Sequence, residues 1–512
     1  MHELTAALWT LLDPATLAAM LAGTLFGMIV GALPGLGSVL AITIALPFTF
    51  GMDKIPAIAL MLAIYCSSVY GGSLSAILIN TPGTPQSAAT VLDGFPMTQQ
   101  GKADLAIGWS TTASLIGGLF STVVLIVMAP QLAQFALRFG AIETFALIAM
   151  ALTCIAGVSR GSMLKGLMAG VFGLFLALVG TDPMTGSVRF DFDSFELSGG
   201  FSLIPVVVGL FAFGEVFSRI AQKHGGIDMA GTAIGFKMAP LREWLLRWKT
   251  LLKSVMFGTF IGILPGTGAS TASFIAYSEA KRSGRFRDNF GKGEPEGLIA
   301  SEASNNAVTG GALVPTLALG IPGDPITAVM MSALIIQGIE PGVRLFADNP
   351  DVMNAVFVAL IVCNILMFIT GALCAPLITR ILRIPEPLLL AGVMVLSIVG
   401  SYGVSGRMFD VYISLAFGVL GLVFRLCKVP TAPVVIGLVL GPIFEESLRQ
   451  GLLLTDGSFL AFFSPTEHPI ALVLIIITLF IVAWSGWSEF TGKNDESEEA
   501  GPASLKPAQS ES

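Results

Sequence analysis

Charge is scarce in this chain: of 512 residues only 12% are Asp, Glu, Lys or Arg, while 54% are hydrophobic. A water-soluble domain cannot fold around that balance. No basic nucleic-acid footprint is present either. Histidine is scarcer still, with only His2, His224 and His468, each at a segment end or in a loop. That argues against imidazole-based metal or proton chemistry inside a membrane. The five cysteines, Cys66, Cys154, Cys363, Cys374 and Cys427, stand singly in or beside apolar stretches, which is neither a disulfide framework nor a metal site. The first apolar segment lacks a basic leader, since Met1, His2 and Glu3 precede it, so residues 16–33 read as a retained segment and not a cleaved signal peptide. The net charge of -7 lies largely in loops and the tail and says little about partners.

What the chain has in quantity is apolar sequence. Runs long enough to enter or cross a bilayer recur from about residue 16 to 489, and at about 20 residues per span they allow roughly ten to twelve segments. The expected fold is an all-α polytopic membrane protein.

One stretch occurs twice. Gly27, Gly31, Leu33, Pro34, Gly35 and Gly37 reappear 231 residues later as Gly258, Gly262, Leu264, Pro265, Gly266 and Gly268. Each copy puts a helix breaker inside an apolar run. A second motif is also copied, at an offset of 240: Pro82-Gly83-Thr84-Pro85 returns as Pro322-Gly323-Asp324-Pro325, and Gly71 aligns with Gly311. The chain therefore reads as two homologous repeats, 1–220 and 254–489, joined by a basic linker at 221–253 and followed by an acidic, disordered tail at 490–512. The stretch from Leu92 to Asp104 reads as a loop, and Asp182 to Gly200 as an extramembrane loop.

Charge placement suggests orientation. Residues 219–253 hold seven basic side chains, from Arg219 to Lys253, and residues 281–292 hold five more. By the positive-inside rule both are cytoplasmic, so the apolar run between them enters and leaves on one side. It is expected to form a re-entrant hairpin with Pro265, Gly266, Thr267 and Gly268 at its tip, each arm of roughly ten residues reaching about 15 Å. The competing arrangement is a kinked full span. If the first hairpin opens outward, the repeats are inverted, an architecture of secondary transporters.

The breaks have a chemical use. A helix interrupted at membrane depth exposes amide donors that favour an anion, and carbonyls that can hold a small cation. Pro34, Gly35, Gly37, Pro82, Gly83, Pro265, Gly266, Gly268, Pro322 and Gly323 supply such ends. Ser38, Asn80, Thr81, Thr84, Thr267 and Ser270 add hydrogen bonds without fixed charge, and Asn305 and Asn306 could line the same site. That set suits a carboxylate. Simple packing kinks would need neither motif duplicated. Asp324 stands where the first repeat has Thr84 and either couples an ion or caps the following helix. Glu302 either binds a proton or is an interfacial or capping carboxylate. No phosphate loop, dinucleotide fingerprint or facing pair of catalytic aspartates is complete, so an enzyme is not expected.

At these residues the chain resembles the large membrane subunit of the tripartite tricarboxylate transporters. The matching stretches are GALPGLGS (31–38), NTPGTPQSAATVLDGFP (80–96), GILPGTGASTASFIAY (262–277), EGLIASEASNNAVTGGALVPTLALGIPG (296–323) and GLVLGPIFEESLRQGL (437–452). The family usually has Pro where Ser301 stands and a small residue where Asp324 stands, which leaves the substrate and coupling ion open. The resemblance implies a multi-pass permease of the bacterial inner membrane that imports citrate or other di- and tricarboxylates on a Na⁺ or H⁺ gradient. It would act with a periplasmic solute-binding protein and a small four-helix membrane subunit, and without a cofactor. Analogy to other hairpin-containing anion transporters suggests an elevator motion. The alternative is a channel or structural membrane scaffold.

Overall fold

The computed structural model describes residues 11–158, 163–182, 184–221, 235–266, 268–381 and 384–490. Thr267, linker residues 222–234 and the tail from 491 onward lie outside the described residues. The first half contains α1 (Pro14–Ala32), α2 (Gly37–Ala45), α3 (Lys54–Ile79), α4 (Val91–Gln99), α5 (Ala103–Ala136), α6 (Ala141–Val158) and α7 (Met163–Ala177). It ends with α8 (Leu203–Ala221), which carries a π-helical turn at Val208–Phe213. The second half contains α9 (Leu241–Leu246), α10 (Trp248–Ile263), α11 (Gly268–Ser283), α12 (Pro295–Leu319), α13 (Pro325–Ile336) and α14 (Leu345–Asp348). It continues through α15 (Pro350–Ile381), α16 (Glu386–Ser405), α17 (Met408–Leu426), α18 (Ala432–Leu454) and α19 (Pro469–Phe490). Among the described residues, seven helices are long and apolar enough to cross a bilayer (α1, α3, α5, α8, α15, α16 and α17), and five apolar helical stretches are shorter. The protein is thus an all-α polytopic membrane protein.

The duplicated motifs make duplicated contacts. α1 packs along α3 through glycines that have no room for a side chain: a Cβ on Gly27 would stand 2.7 Å from Ile64 O, and one on Gly31 2.2 Å from Ser68 O. In the second half, α10 packs along α12 in the same register, with Gly258 against Ser304 O at 2.2 Å and Gly262 against Val308 O at 2.9 Å. The reciprocal contacts match too, because Gly71 abuts Met28 O and Gly311 abuts Thr259 O, both at 2.5 Å. Every pair is carried onto its counterpart by the two sequence offsets. Close backbone approach through small residues is how membrane helices associate when burial of apolar surface gives no net driving force.

α3 and α12 lie side by side at the centre, both buried on nearly all faces. Ser73 on α3 meets Glu302 on α12, and seven residues earlier Cys66 meets Thr309, so the two helices run antiparallel. Helices α6, α7, α18 and α19 form a peripheral layer. Ring contacts of Phe145 with Phe444 and Phe462 hold it together, as does close packing of Gly173 on Val434 O.

α10 and α11 fold back on one another as a hairpin, because Lys253 at the start of α10 bonds Glu279 and Ser283 at the end of α11. Each arm has 16 residues, about 24 Å at the rise of a helix and longer than the roughly ten residues expected. The Leu92–Asp104 stretch is not the loop expected from its polarity, since α4 occupies most of it. Its Asp93 is buried and accepts Tyr277 Oη at 2.8 Å and the amides of Gly291, Gly293 and Glu294 at 2.8–2.9 Å. Burial pushes this carboxyl above its ordinary range even though those donors pull it down. Arg219, counted above with a basic loop, sits in the last turn of α8.

Candidate functional site

All four Pro-Gly breaks meet at one cavity. Its volume is about 820 Å³, within the range of small-molecule sites. α1 gives way to α2 across Leu33–Leu36, and α10 ends at Ile263 and runs through Leu264, Pro265 and Gly266 before α11 begins at Gly268. Gly35 and Gly37 have φ of 80° and 73°, and Gly266 and Gly268 have 85° and 70°. The two tips thus share one left-handed turn, which needs glycine. The second motif behaves alike: α3 ends at Asn80 and α12 at Gly320, both left-handed caps. Each Pro-Gly loop then doubles back against its own repeat, with Gly83 N donating to Gly72 O at 3.1 Å and Gly323 N to Thr316 Oγ1 at 3.2 Å. Gly266 N donates to Gly323 O at 2.8 Å, joining the second tip to the second loop.

The N-termini of α2, α11, α13 and α18 line the cavity through Ser38, Ser270, Pro325 and Ala432. An N-terminus carries partial positive charge and orphan amides. Ser38 is 2% exposed, and its Oγ has no hydrogen-bond partner among the described residues. Gln86 Oε1, also on the lining, is likewise unpaired. A buried polar atom left without a partner points to a ligand or solvent.

Another part of the lining comes from outside the two motifs and carries fixed charge that sequence reasoning did not assign to the site. Arg219 and Glu215 on α8, Arg425 at the end of α17, and Lys428 beyond it all line the cavity. In the sequence Arg219 stands out only as a member of the basic stretch 219–253, which reads as membrane orientation, and Arg425 and Lys428 belong to no motif.

Of the residues expected at the site, Gly35, Gly37, Ser38, Pro82, Gly83, Thr84, Gly266, Gly268, Ser270 and Asp324 line the cavity. Pro34, Pro265, Pro322 and Gly323 shape the turns from just behind the lining. Asn80 and Thr81 are exposed and lie off the lining. Asn305 and Asn306 are buried in α12, also off it. Thr267 is not described.

Asp324 is 3% exposed. It is the N-cap of α13, its Oδ1 accepting Thr327 N at 2.7 Å in a capping box, while its Oδ2 accepts Tyr65 Oη at 2.7 Å. Capping and cavity lining therefore coexist in one side chain. Glu302 is fully buried in mid-helix, so it is neither interfacial nor a cap. Ser73 Oγ donates to its carboxylate at 2.7 Å, Ser114 Oγ at 3.1 Å, and Thr90 Oγ1 also donates. Asn306 Nδ2 reaches the same cluster through Ser114 Oγ at 2.8 Å, while Asn306 Oδ1 is unpaired among the described residues.

The chain is 33% identical over 493 residues, covering 95% of it and 96% of the relative, to an uncharacterized 52.8 kDa protein in the TAR-I ttuC' 3' region of Agrobacterium vitis. It is 32% identical over 239 residues, 47% of it and 98% of the relative, to an uncharacterized protein in the TAR-II ttuC' 3' region of the same organism. No solved structure matches. The pattern of the tripartite tricarboxylate transporter TctA family matches residues 17–436, a stretch that contains both copies of each motif and the cavity they enclose. The chain belongs to that family and is a component of a tricarboxylate transporter.

Proposed function

We propose that this chain is the permease subunit that carries a di- or tricarboxylate across the bacterial inner membrane through the 820 Å³ cavity. The observation that carries the reading is the convergence of four helix N-termini, an unpaired Ser38 hydroxyl and cationic side chains on that one cavity. Each is a feature that holds a carboxylate without burying an uncompensated charge. The antiparallel course of α3 and α12, with hairpins copied in register, supports inverted repeats whose tips meet at mid-membrane. In this reading the hairpins and broken helices carry the anion, elevator-fashion, against the remaining helices. A periplasmic solute-binding protein delivers the substrate, and a small four-helix membrane subunit completes the assembly. A Na⁺ or H⁺ gradient drives uptake, with Asp324 on the cavity wall and Glu302 in its hydroxyl cage as the coupling groups.

Reconstituted uptake of labelled citrate and of C4 and aromatic carboxylates tests the reading, with binding protein and Na⁺ or H⁺ gradients varied. Saturable uptake that requires the binding protein and a gradient supports it. Uptake indifferent to both marks a channel, and no movement of any carboxylate with all partners present ends the transport reading.

A further inference from the structure

The charged wall of the cavity is short of carboxylates. Arg219 Nε bonds Glu215 Oε1 at 2.6 Å, and Arg219 Nη1 bonds Glu386 Oε1 at 2.5 Å. Arg425 Nη1 bonds the other oxygen of the same Glu215. Two guanidinium groups thus divide one carboxylate, and among the described residues Arg425 has no second one and Lys428 has none. Arg219 also lies across the first hairpin tip: a Cβ on Gly35 would fall 1.2 Å from its Nη2. It therefore links the tip to α8 and, through Glu386, to the first turn of α16.

We propose that Arg219 and Arg425 are the residues that bind the substrate's carboxylates, and that Glu386 is an internal carboxylate which the substrate displaces from Arg219. This rests on the carboxylate-transport reading above and names the groups that recognise the substrate.

The two glutamates differ in the way such an exchange needs. The side chain of Glu215 is 11% exposed and fixed between both arginines, whereas that of Glu386 is 36% exposed at a helix start. A partly solvated pair of this kind contributes little net stability. Once released, Glu386 keeps the favourable field of the α16 N-terminus and regains water. An incoming di- or tricarboxylate offers one carboxylate to Arg219 and another to Arg425, so that two charge-assisted contacts replace one. A guanidinium presents five donors in a planar fork, which an ammonium does not reproduce. The Gly35 turn is where that fork reaches the tip, so substrate held by Arg219 is held at the hairpin itself.

Binding of citrate and succinate to the purified, lipid-reconstituted chain tests the assignment by calorimetry, with folding checked by size exclusion. Arg219→Gln and Arg425→Gln are expected to weaken citrate about tenfold or more, and Arg219→Lys by a comparable factor, because a bidentate contact is lost. Glu386→Gln is expected to tighten citrate by roughly three- to tenfold by removing the competing carboxylate. If folded Arg219→Gln binds citrate as the wild type does, or if Glu386→Gln weakens binding, the assignment is overturned while the transport reading stands. If the wild type binds no carboxylate, this assignment falls, and the transport reading is decided separately by uptake with all partners present. Glu386→Gln and Arg219→Lys keep the test decisive even where Arg219→Gln does not fold.

Discussion

Tyr65 in the first half donates its phenolic O–H to Asp324 Oδ2 in the second half, at 2.7 Å. This bond ties the Pro-Gly loop of one repeat to the central helix of the other, and it occupies one oxygen of the carboxylate on the cavity wall. The other oxygen caps α13.

Asp324→Asn keeps a side-chain oxygen for the Thr327 amide, so its cost in thermal stability stays small, below that of Asp324→Ala, which loses the cap at about 1 kcal/mol. Uptake by the Asn variant is expected to lose or change its ion dependence. Stability near wild type with unaltered ion dependence would reduce Asp324 to a cap.

Glu302→Ala strands the hydroxyls of Ser73, Thr90 and Ser114 in a dry interior. A loss of about 2–4 kcal/mol follows from unpaired buried groups. Glu302→Gln leaves a carbonyl for them and is expected to fold with a smaller loss, yet to uncouple uptake from the gradient. Melting curves of the two variants, paired with gradient-dependence assays, separate the structural from the coupling contribution. A folded Gln variant that stays fully coupled argues for structure alone.

The glycine contacts predict a ranking. A Cβ on Gly31 meets Ser68 O at 2.2 Å, one on Gly262 meets Val308 O at 2.9 Å, and one on Gly37 meets nothing within 4 Å but inherits a φ of 73°. Gly31→Ala is therefore expected to cost most, about 2–3 kcal/mol from forced helix separation. Gly262→Ala should cost less. Gly37→Ala should cost about 1 kcal/mol from backbone strain alone. Unfolding in detergent gives the order, and an inverted order would mean that these helices do not cross where described.

Lys249 and Arg285 are exposed at the two ends of the α10–α11 hairpin. Cysteines placed there, in a background freed of Cys427, should react with an impermeant thiol reagent from the same side of the membrane. Reaction from opposite sides would replace the re-entrant hairpin with a kinked span.

Much of this architecture was legible because it rests on backbone. Glycine and proline advertise turns and close approaches in any context, and two fixed offsets showed that they recur. The side chains were harder to place. Arg219 and Arg425 lie 206 positions apart in sequence, and each resembles the basic flank of a membrane segment until folding sets both on one wall. Glu302, Asn305 and Asn306 sit on a helix buried on all faces, so no amphipathic pattern shows which face they occupy. Asp93 reads as part of a loop because it shares a polar stretch with Gln99, Gln100 and Lys102. The amides it receives come from residues 291–294, about 200 positions away, and local sequence carries no trace of them.

The two hairpin tips share a shape but differ in how they are fastened. Gly266 is held to Gly323 by a bond between main-chain groups, which uses no side chain and which proline at 266 would delete by removing the donor. Gly35, its counterpart, has the side chain of Arg219 laid against it. One fastening therefore depends on the backbone at two glycines, and the other on a single side chain that one codon rewrites. Divergence among related carriers in how readily they open to one face should accordingly collect at Arg219 and its carboxylate partners, leaving the second tip unchanged.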